Sequence, residues 1–204
     1  MKTIVLFFGR ANPPHLGHGV AFKKVLDVAK SYQSNHIIYI SRSTDKKKNP
    51  LSVMRKIFWL KKMFGSRYNF VAANDQIRTF IEAVKAQDGK FEQIVVIAGS
   101  DRVAEYQKLL NRYNGTKEFS FDSIKVVSAG ERDPDAEGTE GLSATKMRQA
   151  AIDGDIETIV SGTGLSNNDA ETLAREVRLG LGIVESKLRF DQLLDKLTPS
   201  MVGN

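Results

Sequence analysis

Residues 9–18 read GRANPPHLGH and hold two of the chain's three histidines, His15 and His18, around a leucine and Gly17. Two imidazoles at that spacing, with Arg10 upstream, suit an oxyanion, because ring N–H groups and a planar guanidinium are strong donors. Pro13 and Pro14 keep the segment extended and fix the spacing at which the rings are presented. Gly9 admits a close approach of backbone to ligand. A helix starting near His18 would add unpaired N–H groups and the positive end of its dipole. A lone histidine here would read as an ordinary loop or helix-start residue. The pair, set between an apolar run and an amphipathic stretch, points to chemistry on a phosphate. Neither GxxxxGK[ST] nor GxGxxG follows the first apolar run, so the more familiar phosphate loops do not apply.

A second polar segment, LSATKMR at 142–148, offers the hydroxyls of Ser143 and Thr145 with Lys146 and Arg148 within one helical turn. Backbone donors at a helix start, hydroxyls and a guanidinium are the combination a triphosphate tail needs. Taken alone, Ser143 would be an ordinary N-cap. The segment AGSDR at 98–102 places Gly99 and Asp101 after another apolar run. There Asp101 reads equally well as a ligand-side carboxylate or, with Ser100, as the cap of the next helix. The run TDKKKNP at 44–50 carries Lys46, Lys47 and Lys48, and Arg55, Lys56, Lys61 and Lys62 follow. Such runs are usually solvated. The alternative is a mobile basic loop in which Lys46 or Lys48 closes over substrate phosphate. The acid-rich ERDPDAEG at 131–138 reads as a solvated loop, and no metal site is expected.

These segments need a frame to bring them together. Apolar, β-branched runs predict strands at 3–9, 36–41, 68–73, 93–99 and 123–130. Helical spacing predicts helices over 18–32, 51–64, 77–86 and 101–112, and again from residue 143 onward. Strands apolar throughout and separated by helices imply a doubly wound, mostly parallel five-stranded α/β sheet covered on both faces. Ligands in such sheets bind beyond the carboxyl ends of the strands, where all these polar segments fall. The expected division is a domain over 1–155 and a helical C-terminal extension over 156–204, read as a small cap or an oligomerisation element.

Composition narrows the partners. The chain has 204 residues, a net charge of +6 and no cysteine. Disulfides, thiolate metal sites and cysteine nucleophiles are thereby excluded, and a reducing, cytoplasmic setting fits. The charge favours anionic ligands, which nucleotides satisfy as well as nucleic acid does. No nucleic-acid module is recognisable, so nucleic acid is not expected as a partner. No apolar run approaches the roughly 20 residues of a membrane span. The opening MKTIVLFFGR reads as a strand rather than a signal peptide.

The HxGH of residues 15–18 and LSATKMR, which is similar to ISSTxxR, resemble the two signatures of the nucleotidylyltransferase superfamily. The longer GRxxPxHxGH looks most like the archaeal-type nicotinamide-mononucleotide adenylyltransferases. In overall wording the chain also resembles nucleotidylyltransferase-like proteins of tailed phages, which would place it in a host cytoplasm. The resemblance implies a Rossmann-like domain that moves a nucleotidyl group from a nucleoside triphosphate to a small phosphomonoester and releases pyrophosphate. It assigns His15, His18 and Arg148 as catalytic, with His18 nearest the transferring group. Gly9, Arg10, Gly17, Ser143, Thr145 and Lys146 would bind nucleotide, and Arg148 with the two hydroxyls would hold the β- and γ-phosphates. Asp101, Lys46 and Lys48 would face the acceptor, and Mg2+ would arrive with the triphosphate. The tryptophan that often stacks on a pyridine acceptor is missing after 98–102, where the helix has Tyr106, and Trp59 reads as a core residue. Adenylyl transfer is the first expectation. Cytidylyl transfer to a sugar- or alcohol-phosphate and a silent nucleotide-binding or structural protein are the alternatives.

Overall fold

The computed structural model describes residues 1–130 and 142–183. The acid-rich segment at 131–138 and the tail after 183 lie outside the described residues.

Five strands, β1 (Thr3–Gly9), β2 (Asn35–Ile40), β3 (Phe70–Ala72), β4 (Gln93–Ala98) and β5 (Ser123–Ser128), form one sheet in the order β3-β2-β1-β4-β5. All four pairings are parallel. Parallel neighbours need crossovers, and helices supply them. These are α1 (Gly19–Ser31), α2 (Val53–Phe64), α3 (Phe80–Lys85) and α4 (Val103–Tyr113). Three further helices follow: α5 (Ala144–Asp153), α6 (Ile156–Thr163) and α7 (Asn167–Gly180).

Alternation along the central strands divides the core into two layers. Val5, Val95 and Ile97 pack with Phe22 and Val25 of α1 on one face. Ile4, Leu6, Ile94 and Val96 pack with Val84 of α3 and Leu110 of α4 on the other. The period of two along a strand forces this division, and burial on both faces explains why β4 is apolar from residue 94 to 98. Each such side chain contributes roughly 1.5–3 kcal/mol by leaving water. The helices therefore cover both faces, as a doubly wound sheet requires.

A third apolar cluster joins α5, α6 and α7 to α2 through Trp59 and Leu51. Trp59 is a core residue, 1% exposed. Its indole N–H donates to Glu176 of α7 at 2.8 Å, and Arg55 Nε donates to the same carboxylate at 3.0 Å. Close contact also fixes the end of α7. A Cβ added to Gly180 would stand 2.0 Å from the carbonyl oxygen of Pro50, so glycine alone lets the helix rest on that backbone. Among the described residues no helix is long and apolar enough to cross a membrane.

Strand order reverses direction between β1 and β4, and the connections from these two strands leave on opposite faces of the sheet. That geometry opens a crevice at their carboxyl ends. Gly9 ends β1 there, and its carbonyl accepts from Ser41 N at 2.8 Å, tying the start of the β2–α2 loop to the β1 end.

Candidate active site

The β1–α1 loop is built by its own residues. Leu16–His18 form a 3-10 turn that runs directly into α1, so Gly17 and His18 sit at the helix start as the sequence predicts. His18 Nδ1 lies 3.2 Å from the His15 amide nitrogen and 3.1 Å from the His15 carbonyl oxygen. An amide N–H can only donate, so a neutral His18 ring accepting it carries its proton on Nε2. An imidazolium would instead donate from Nδ1 to the carbonyl. A neutral ring protonated on Nδ1 would make the same bond to the carbonyl and leave Nε2 an acceptor; Nδ1 is fixed locally in every form, and Nε2 is a donor in the first two. The two imidazoles stand 3.8 Å apart between centroids, and His18 stacks over Phe22 at 6.2 Å. His15 is buried and His18 half-buried. Upstream, Ala11 holds φ +43°, a left-handed conformation costly for a residue with a Cβ.

Asn12 fastens this loop to the next one. Its side chain accepts from Leu51 N and donates to Leu51 O, both at 3.0 Å, imitating a strand pairing in a buried position. Its backbone carbonyl accepts from Arg148 Nη1 at 3.0 Å. The same Nη1 donates to the Lys48 carbonyl at 3.1 Å, and Nη2 donates to Thr145 Oγ1 at 2.9 Å. One guanidinium from α5 thus gathers the β1–α1 loop, the lysine turn and its own helix start. Of its five N–H groups, Nε–H and one Nη2–H keep no partner among the described residues, enough for one oxyanion. Desolvation holds the Arg148 pKa below its ordinary value, with Asp45 opposing that shift. Ser143 is the N-cap of α5, accepting from Lys146 N at 3.1 Å, so its hydroxyl is engaged at the helix start. Lys146 is exposed.

The lysine run folds as a closed turn with its lysine side chains exposed. Asp45 Oδ1 accepts from the amides of Lys47 at 2.8 Å and Lys48 at 2.6 Å, and Oδ2 accepts from Asn49. These donors stabilise the charged form and hold the Asp45 carboxyl far below the usual carboxylate range. Asp45 N closes the turn on Asn49 O at 2.9 Å. The side chains of Lys46 and Lys48 are exposed, the stem of Lys46 running beside Gly182 just past α7.

Lys56 is the residue the sequence misassigned. Read with its neighbours as part of a solvated basic run, it is fully buried. Its Nζ donates to the carbonyls of Ser41 at 2.5 Å and Ser43 at 3.4 Å. Burial, with the Arg10 charge adding to it, lowers its pKa to about 8. The one available signal was position: Lys56 recurs with Trp59 and Leu60 on the buried stripe of α2.

Asp101 stands apart. It lies in the turn Ser100–Arg102 after β4, pairs with Arg102 at 3.4 Å and is largely exposed. Neither Ser100 nor Asp101 caps α4, whose N-cap is Arg102 without a side-chain bond. Tyr106 is spent on Phe80, stacked at 4.3 Å, and belongs to the second core layer. Among the described residues no group of three or more His, Cys, Asp or Glu is placed to hold a metal ion.

The site therefore unites the first loop, the lysine turn and the start of α5 at the end of β1, and leaves Asp101 on the neighbouring strand end. Comparison with known proteins agrees on the frame. A nicotinate-nucleotide adenylyltransferase, so named provisionally, from Vibrio parahaemolyticus superposes with TM-score 0.53 at 18% identity, over 85% of this chain and 99% of its own. The Plasmodium falciparum nicotinic acid mononucleotide adenylyltransferase complexed with APC matches with TM-score 0.53 at 12% identity, over 83% and 94%. The same enzyme complexed with NaAD gives 0.50 at 12% identity, over 88% and 95%. At these identities the likeness is one of fold. No curated protein matches the sequence. The cytidylyltransferase-like family model does match, over residues 6–150, which spans both signature segments. By that match the chain belongs to the cytidylyltransferase-like family of the nucleotidylyltransferase superfamily, and it is a nucleotidyltransferase.

Proposed function

We propose that the chain transfers the adenylyl group of MgATP to the phosphate of a mononucleotide and releases pyrophosphate. One observation carries this reading: Arg148 of the second segment is hydrogen-bonded to Asn12 inside the first, so both segments face one crevice. The acceptor phosphate is already anionic near neutral pH and needs no protein base. Its oxygen attacks the α-phosphorus, the bond from that phosphorus to the β-bridging oxygen breaks, and the electron pair leaves with pyrophosphate. Catalysis then consists of alignment and charge stabilisation. His18, its ring set by the His15 backbone, donates to the α-phosphate, with His15 beside it. Arg148 offers its remaining two donors to the β- and γ-phosphates, and Lys146 adds charge at the same helix start. Arg10 and the exposed Lys46 and Lys48 attract the phosphates, while Asp101, one strand away, faces the acceptor. Magnesium enters as part of the triphosphate.

The solved neighbours named for nicotinate mononucleotides favour adenylyl transfer as the first reading. The family's own description makes CTP the second. A pyrophosphate-release screen crossing the four common triphosphates with a panel of phosphomonoesters decides between them. ATP with a mononucleotide should give the fastest release. A larger rate with CTP and a sugar- or alcohol-phosphate would reverse the order, and no release from any pair would leave a silent binding protein.

A further inference from the structure

Lys56 takes no part in the transfer chemistry above, yet it is the only lysine among the described residues that is wholly removed from water. Burying an ammonium is costly unless donors and acceptors are matched around it. No described carboxylate lies within ion-pair distance of Nζ; its partners are the carbonyls of Ser41 and Ser43. Those carbonyls belong to the segment joining β2 to the lysine turn. Asn12 reaches Ser43 O from the other side at 3.5 Å, and Arg148 holds Lys48 O further along. The charged neighbour whose field reaches Lys56 is Arg10, at the end of β1. Asp45, the turn's carboxylate, is spent on its own turn amides and its field on Arg148.

We infer that Lys56 is a positioning residue: by holding the carbonyls of Ser41 and Ser43 from beneath, it sets the lysine turn against the β1–α1 loop and so shapes the phosphate site. This rests on the transferase reading for its purpose, though not for its geometry. A uniformly hydrophobic side chain at this place would leave the buried Ser41 carbonyl unpaired, Ser43 O with Asn12 alone, and the turn unanchored at its β2 end. The placement of Arg10 adds a consequence. Neither Arg10 nor Lys56 is ion-paired to a described carboxylate, so a bound anion relieves the repulsion that Arg10 exerts on Lys56. A phosphate entering the crevice therefore favours the charged form of Lys56. Above pH 7 the phosphate of a mononucleotide is already a dianion. Any proton taken up on binding near pH 8 to 9 then belongs to the protein.

Wild type, Lys56→Arg and Lys56→Met decide the matter, each checked first for cooperative thermal unfolding. Amide exchange over residues 41–51 reads the positioning itself. Lys56→Met should speed exchange there about 10-fold or more while β1 and β4 stay protected, and Lys56→Arg should recover most of the protection. Calorimetric titration with nicotinate mononucleotide from pH 7 to 9.5 reads the charge. Wild type should bind about 10-fold more weakly at the upper end and take up protons on binding, whereas Lys56→Arg should bind with little pH dependence. A merely structural lysine would leave the pH dependence of wild type and Lys56→Arg alike. That result, or unchanged exchange over 41–51 in Lys56→Met, overturns the inference. Should Lys56→Met fail to fold, the comparison of wild type with Lys56→Arg still decides. If wild type binds no mononucleotide while the exchange result holds, the mononucleotide-acceptor reading fails and the positioning role stands.

Discussion

The β1–α1 loop and the β2–α2 loop meet at Asn12, but they are held in place by different means. The first carries its own constraints: a turn, a helix start and an imidazole bonded to the backbone three residues earlier. The second is fixed largely from elsewhere, by Lys56 below, Asn12 beside it, Arg148 from 100 residues downstream and Gly180 resting on Pro50. A loop of the first kind announces its chemistry in a short string of residues. A loop of the second kind looks like surface until its distant partners are in place.

That contrast sets the order of expected effects. His18→Ala removes a group that acts within the first loop, so the fold should survive while kcat falls by roughly 100-fold or more, as on losing an oxyanion donor. His15→Ala should act in the same direction and more mildly. Steady-state kinetics beside a thermal melt check both, and near-wild-type turnover in His18→Ala would remove the first loop from the chemistry.

Arg148→Ala should act on both loops at once. The triphosphate KM should rise by about 10-fold with a slower kcat, because part of the interaction is the same in ground and transition states. Stability should fall by about 1–3 kcal/mol, since two carbonyls lose a charged donor. Arg148→Lys should restore little, as an ammonium cannot serve three acceptors in one plane. A full rescue by lysine would show that charge alone matters there.

Replacing Lys46, Lys47 and Lys48 together by alanine should have the smallest effect. The turn is closed by Asp45 through backbone amides that the substitutions keep, and exposed charges add little stability. Substrate KM should rise a few-fold with an unchanged melting temperature. An unchanged KM would return these side chains to the solvated surface.

The same contrast explains what could be read from the sequence. The strands were readable because each alternates between two buried layers, as Ile94–Ile97 do. Their ends were overestimated at β3, which narrows to Phe70–Ala72. Ser143 as a cap and the histidines at a helix start were readable because both are local arrangements. Lys56 was not, since a charged residue type gives no sign of the carbonyls that will surround it. Nor was the lysine turn, which is closed by Asp45 and held in place by Lys56 and Arg148. Tyr106 had no readable partner, and Phe80, 26 residues earlier in the chain, stacks on it.

Nucleotidyl transfer differs from phosphoryl transfer and from hydrolysis in which phosphorus ends on the acceptor. The chain incubated with magnesium, nicotinate mononucleotide and ATP labelled at either the α- or the γ-phosphorus distinguishes them in one chromatogram. The α-label should move to a dinucleotide product and the γ-label to pyrophosphate, in equal amounts. A γ-label on the acceptor, orthophosphate in place of pyrophosphate, or an α-label that stays on the adenine nucleotide would contradict adenylyl transfer at this site.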